Sequence, residues 1–232
     1  FFAGVFCWSF EIPGYRIYHQ AALAIVIALY FGIFGLLFSF LAGRLNVLWA
    51  FLGAPFIWVS LEYARSNFPL LALPWPLLSH APYQHPLVIQ IAAIAGAYGL
   101  SFVIVLVNTA LAAFVYAAIQ SNQAGPLSVR RIRHGDLMVL GAVAVIALSG
   151  SLVYGFLTLS RPLPQETIRM SVLQGNIDQE KKGAPHKHAP FIMRRYAELT
   201  EMAGRDNPDI IVWPESAIPG LVLKHVGLFG QL

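Results

Sequence analysis

Charge and cysteine are what this sequence has least of. Asp, Glu, Lys and Arg make up 11% of its 232 residues, against roughly 25% in an ordinary soluble domain, and that shortage excludes a wholly water-soluble globule. One cysteine, Cys7, leaves nothing for an intramolecular disulfide or a cysteine-based metal cluster. Between Phe6 and Trp8 it is expected to act as a small buried hydrophobe. A basic n-region and an initiator Met are also missing, since Phe1 and Phe2 open directly in apolar sequence. No cleavable signal peptide is visible, and the N-terminus is expected to be a cut inside a longer protein.

What takes the place of charge is apolar sequence: 57% of the residues are hydrophobic and the mean hydropathy is +0.65. The excess is gathered in four uncharged runs, 21–43, 45–61, 86–119 and 137–160. Each is long enough for a transmembrane helix, for which roughly 20 residues suffice. Between the second and third runs, residues 66–85 hold Pro69, Pro74, Pro76 and Pro82 with Trp75 and Tyr83. That composition breaks helices and sets aromatic rings at headgroup level, so the segment reads as an interfacial loop. Residues 1–10 are too short to span and read as the end of an earlier helix.

The net charge of +4 does not indicate nucleic acid once it is divided by region. Residues 1–165 hold seven Lys/Arg and three Asp/Glu, whereas residues 166–232 hold eight of each. The basic surplus therefore sits beside the spans, where it sets orientation. Arg130, Arg131 and Arg133, with Arg44 in a tight turn, are expected on the cytoplasmic side, which puts residues 66–85 and everything after about 161 on the outer side.

Beyond residue 165 the pattern changes. Residues 168–174 read as a strand. Pro190 then opens a helix with Ile192, Tyr196, Leu199 and Ala203 on one apolar stripe, Asn207-Pro208-Asp209 ends it, and 210–213 form a short buried strand. The expectation is a multi-span helical membrane domain over 1–165, followed at 166–232 by the opening strand–helix–strand unit of an α/β domain. So small a unit has too little core to be stable alone.

Glu215 follows the last strand, in Ile211-Val212-Trp213-Pro214-Glu215. Catalytic groups gather at the carboxyl ends of strands in open α/β sheets, and Pro214 stops further pairing and holds the carboxylate at the rim. Other polar residues have plainer readings. Glu62 and Arg65, three apart, suit an intrahelical ion pair. Gln90 and Asn108 suit bonds to neighbouring helices, His186 and His188 a polar loop without a carboxylate partner, hence no metal site, and Trp75 an interface anchor.

Val172-Leu173-Gln174-Gly175-Asn176-Ile177 together with Ile211-Val212-Trp213-Pro214-Glu215 resembles the start of a nitrilase-superfamily domain, an αββα sandwich. The membrane half narrows the resemblance. Trp58-Val59-Ser60-Leu61-Glu62-Tyr63-Ala64-Arg65, then Pro74-Trp75, then Gln90-Ile91-Ala92 through Gly99-Leu100-Ser101-Phe102 to Asn108 are similar, in the same order, to the apolipoprotein N-acyltransferases. The resemblance implies transfer of a fatty acyl chain from a membrane phospholipid to the N-terminal amine of a diacylglyceryl-modified lipoprotein, in the bacterial inner membrane, through a thioester. It implies a Glu, Lys, Cys triad in which Glu215 is the general base and Trp75 a candidate for substrate contact, with no metal or organic cofactor. Lys224 lies too close to Glu215, and Cys7 lies in the membrane half, so neither matches the triad's Lys or Cys, and the 232 residues alone are expected to be inactive. One departure is Gly183, where the family commonly has a Trp after Gln179-Glu180-Lys181-Lys182. The competing readings are a noncatalytic lipid- or lipoprotein-binding membrane scaffold or truncated relic, and a transporter, against which the uncharged spans argue.

Overall fold

A computed structural model of the chain describes residues 4, 6–12, 14–68, 73, 75, 77–121, 132–162, 167–178, 181, 185–215, 217 and 218. They fall into two compact units, Val26–Pro162 and Phe1–Ile25 with Leu163–Leu232.

Four long helices dominate: α1 (Ile17–Arg44), α2 (Val47–Asn67), α4 (Ala92–Ser121) and α5 (His134–Leu159), with the short α3 (Pro86–Ile89) between α2 and α4. At 1.5 Å of rise per residue each of the four can cross a hydrocarbon core of about 30 Å, and all four are apolar enough to do so. Large apolar side chains such as Leu36, Phe40, Met138 and Ile146 face outward. Lipid tails solvate such a surface and water does not, so the chain is a multi-pass membrane protein.

The core of this unit lies between α4 and α5, where Leu106, Ala110 and Ala113 meet Leu137, Leu140 and Ala144, with Phe51 and Leu52 of α2 packed alongside. Alanines at the contact let the helices approach closely. Aromatic rings join α1 to α2: Phe31 and Phe34 stand edge-on to Trp58 at 5.0 and 5.3 Å, and Phe38 to Phe51 at 5.4 Å. Asn46 caps α2, its Oδ1 accepting the Trp49 N–H at 3.0 Å.

Two span expectations need correction. The run 86–119 is not one helix, because the chain turns at Gln90 and Ile91, and Gly96 inside α4 takes φ 65°, a left-handed conformation that glycine adopts without steric cost. The second span runs six residues past 61, to Asn67, and Glu62 is accommodated inside the fold, where its Oε1 accepts the Leu78 N–H. Near the N-terminus, Cys7–Glu11 form a 3-10 helix, and Cys7 is exposed, not buried as expected.

In the other unit, β1 (Met170–Val172) and β2 (Ile210–Val212) pair in parallel with Met170 opposite Ile210, and α6 (Pro185–Gly204) connects them. These two short strands are all the sheet that the described residues hold. Both are shorter than the runs 168–174 and 210–213, because ladder pairing and not β-propensity ends them. Helix α6 begins before Pro190, which lies inside it, and it takes in His188, expected in a loop. The apolar stripe faces inward as its spacing implies, with Ile192 and Tyr196 buried beside Ala217, Ile177 and Trp213.

Candidate functional site

Glu215 stands where its sequence context puts it, three residues past the end of β2 and exposed. The approach to it is held firmly. The Leu173 N–H donates to the Val212 carbonyl at 2.9 Å, extending the pairing, and the Ala217 N–H donates to the Pro214 carbonyl at 3.2 Å, turning the chain about Glu215. Trp213 lies over Tyr196 at 5.1 Å with the rings 22° apart, and its indole N–H donates to Thr200 Oγ1 at 3.1 Å. The strand entry is tied as well: Arg169 N–H donates to Asp209 Oδ2 at 2.7 Å and its guanidinium to the Asp206 carbonyl at 2.8 Å. A carboxylate on so fixed a turn, with its own oxygens open to solvent, can accept a proton from a group brought to it.

Trp75 belongs to the membrane unit and is exposed. Its loop leaves α2 and is tied back at three points. The Leu73 N–H donates to the Arg65 carbonyl at 3.0 Å, the Leu78 N–H to Glu62 Oε1 at 2.8 Å, and the Ser79 N–H to Ser101 Oγ at 3.1 Å. Pro69, Pro74 and Pro76, on which the loop reading partly rested, lie outside the described residues.

Sequence reasoning missed the role of Glu62. Beyond its electrostatic interaction with Arg65 on the same helix, its carboxylate holds a backbone amide 16 residues away. The signal available was a carboxylate one turn short of a proline-rich loop whose backbone donors need acceptors. Gln90 and Asn108 also differ from expectation, because their amides donate to the Pro86 and Ile104 carbonyls of their own segments, the usual back-bonding of a short polar side chain on a helix. His186's side chain lies outside the described residues, and among those described no three His, Cys, Asp or Glu cluster as metal ligands would. A cavity of about 760 Å³ lined by Phe34, Phe38, Phe51 and Tyr116 opens at the Val47 end of α2, away from the Trp75 loop.

Residues 1–110 match the apolipoprotein N-acyltransferase N-terminal domain. A protein of Geobacter metallireducens named apolipoprotein N-acyltransferase is 33% identical over 71% of this chain and 30% of its own length. One of Allorhizobium ampelinum is 32% identical over 99% of this chain and 39% of its own, and one of Vibrio parahaemolyticus 29% identical over 90% and 37%. The chain thus spans about a third of the length of the curated relatives it matches. No solved structure matches it.

Proposed function

The chain is a member of the apolipoprotein N-acyltransferase family over the stretch it covers, and on that premise we propose that it is part of an enzyme moving a fatty acyl chain from a membrane phospholipid to the N-terminal amine of a diacylglyceryl-modified lipoprotein. The reading rests on one observation above the others: relatives of that name align along as much as 99% of this chain. The placement of Glu215 at the carboxyl end of a strand paired in parallel agrees with it. The strand–helix–strand unit is then the opening of a nitrilase-like αββα domain, on the periplasmic or outer side of the bacterial inner membrane.

Glu215 is the general base. Its carboxylate takes the proton of a cysteine thiol, and the thiolate attacks the phospholipid ester carbonyl. The tetrahedral oxyanion is held by a lysine ammonium and collapses to a thioester, expelling the lysophospholipid alkoxide, which takes the proton back from Glu215. The lipoprotein amine then attacks the thioester, Glu215 accepts the amine proton, and the thiol is regenerated. A base is needed because a thiol of pKa about 8.5 is mostly protonated at neutral pH, and the cation is needed because negative charge develops on the oxygen of the tetrahedral intermediate and a preplaced positive charge stabilises it. Neither Lys224 nor Cys7 matches the triad's lysine or cysteine.

The test uses the complete reading frame. Glu215→Gln keeps size and hydrogen-bonding shape, and should lower both thioester formation and amide transfer by a factor of roughly 10²–10⁴. Glu198→Gln is the control, since its contacts to Arg194 and Arg195 are exposed and worth at most about 1 kcal/mol. A Glu215→Gln protein that acylated at the normal rate would overturn the assignment.

A further inference from the structure

Glu62 is 3% exposed, and one of its two carboxylate oxygens is engaged by Leu78. The other, Oε2, is buried without a hydrogen-bond partner, and so is the indole N–H of Trp58. These residues are four apart on α2, one turn along the same face, and both line one small cavity with Tyr30, Phe31, Leu61 and Arg65. The buried Arg65 guanidinium attracts the Glu62 carboxylate, yet neither Oε2 nor the indole N–H has a hydrogen bond, which is costly for a buried polar atom, and the geometry offers a remedy. The cavity measures about 20 Å³, whereas a water needs on the order of 10–15 Å³ and at least two polar partners. A phosphate or ammonium headgroup is far too large for it.

We propose that this cavity is a single-water site, in which one ordered water accepts the Trp58 indole N–H and donates a hydrogen bond to Glu62 Oε2. The bridge fixes the rotamer of Glu62, and through Oε1 the carboxylate then holds the Leu78 amide and with it the end of the Trp75 loop. Glu62 is a positioning residue, and Trp58 positions Glu62. The bearing of this device on acyl transfer rests on the function proposed above, but the water site does not, and the experiment reads geometry instead of turnover so that the two fail separately.

The whole chain in lipid nanodiscs, labelled with ¹⁵N at tryptophan, should show magnetisation transfer between the Trp58 indole proton and a long-lived water. Trp58→Phe removes the donor and keeps an aromatic ring against Phe31 and Phe34. It should speed hydrogen exchange at the Leu78 amide, which Trp58 does not itself hydrogen-bond, by about 3–10-fold, and Glu62→Leu should speed it by at least about 10-fold. Glu62→Gln keeps an acceptor and should restore Leu78 protection to within about threefold of the parent. An indole proton that shows no transfer from water overturns the proposal, as does a Leu78 amide whose exchange is the same with and without Trp58. Because Trp58→Phe and Glu62→Gln are both mild, the test does not depend on Glu62→Leu folding.

Discussion

Two glutamates mark what a residue's neighbours in sequence can and cannot reveal. Glu215 was legible because everything that places it is local: a short apolar strand, a tryptophan, a proline that ends pairing, then the carboxylate. Glu62 was not, because its partner is an amide 16 residues on, brought back by the path of a loop that no periodicity encodes. Tyr196 belongs to the legible kind, since its helical spacing from Ile192 already put it on the inward stripe. Its burial to 1% exposure against Trp213 makes it the support of the turn that carries Glu215. Tyr196→Ala should therefore cost the soluble-side unit about 3–5 kcal/mol, and Tyr196→Phe no more than about 1 kcal/mol. Limited proteolysis of the complete protein in detergent checks this: the alanine variant should be cut rapidly between residues 185 and 215, the phenylalanine variant at close to the parent rate.

The elements themselves were read from one physical length, the thickness of the bilayer, and that is why the long helices were legible while their interruptions were not. Nothing in Gln90-Ile91-Ala92 forbids a helix, and glycine such as Gly96 is frequent inside membrane helices, so the break between α3 and α4 depends on tertiary packing. The reason for that packing lies in α5. A Cβ added at Gly155 would collide with the backbone carbonyl of Leu87 in α3, a contact that no side-chain rotation relieves. Gly155→Ala should thus push α3 off α5 and destabilise the membrane unit by roughly 1–3 kcal/mol. Gly150, on the same helix with nothing within 4 Å of an added Cβ, is the control. Gly150→Ala should be neutral or slightly stabilising through helix propensity. Thermal unfolding in detergent, followed by size-exclusion chromatography, separates the two: a lowered midpoint for Gly155→Ala alone supports the contact, and equal midpoints refute it.

At the scale of the whole molecule the open question is which way the four spans run, and the answer is carried by few charges. Arg44 ends α1 and Arg133 immediately precedes α5. With alternating spans these two helix ends fall on the same side, together with Arg130 and Arg131, which lie outside the described residues. Under the positive-inside bias that side is the cytoplasm, since Arg16, Arg65 and Arg161 on the other side are three against four. The start of α1, the end of α2 at Asn67 and the end of α5 at Leu159 then face outward, and so does the entry to the unit that carries Glu215. A cysteine at Ser128, within the arginine-rich connection, should therefore resist a membrane-impermeant thiol reagent in intact cells, whereas one at Ala184 should react. Both changes have to be made in a Cys7→Ser background, because Cys7 is exposed and precedes α1 on the side predicted to be labelled. Labelling at Ser128→Cys but not at Ala184→Cys would invert the topology. It would also remove Glu215 from the side where a periplasmic lipoprotein amine could reach it, so the orientation and the proposed reaction fall together.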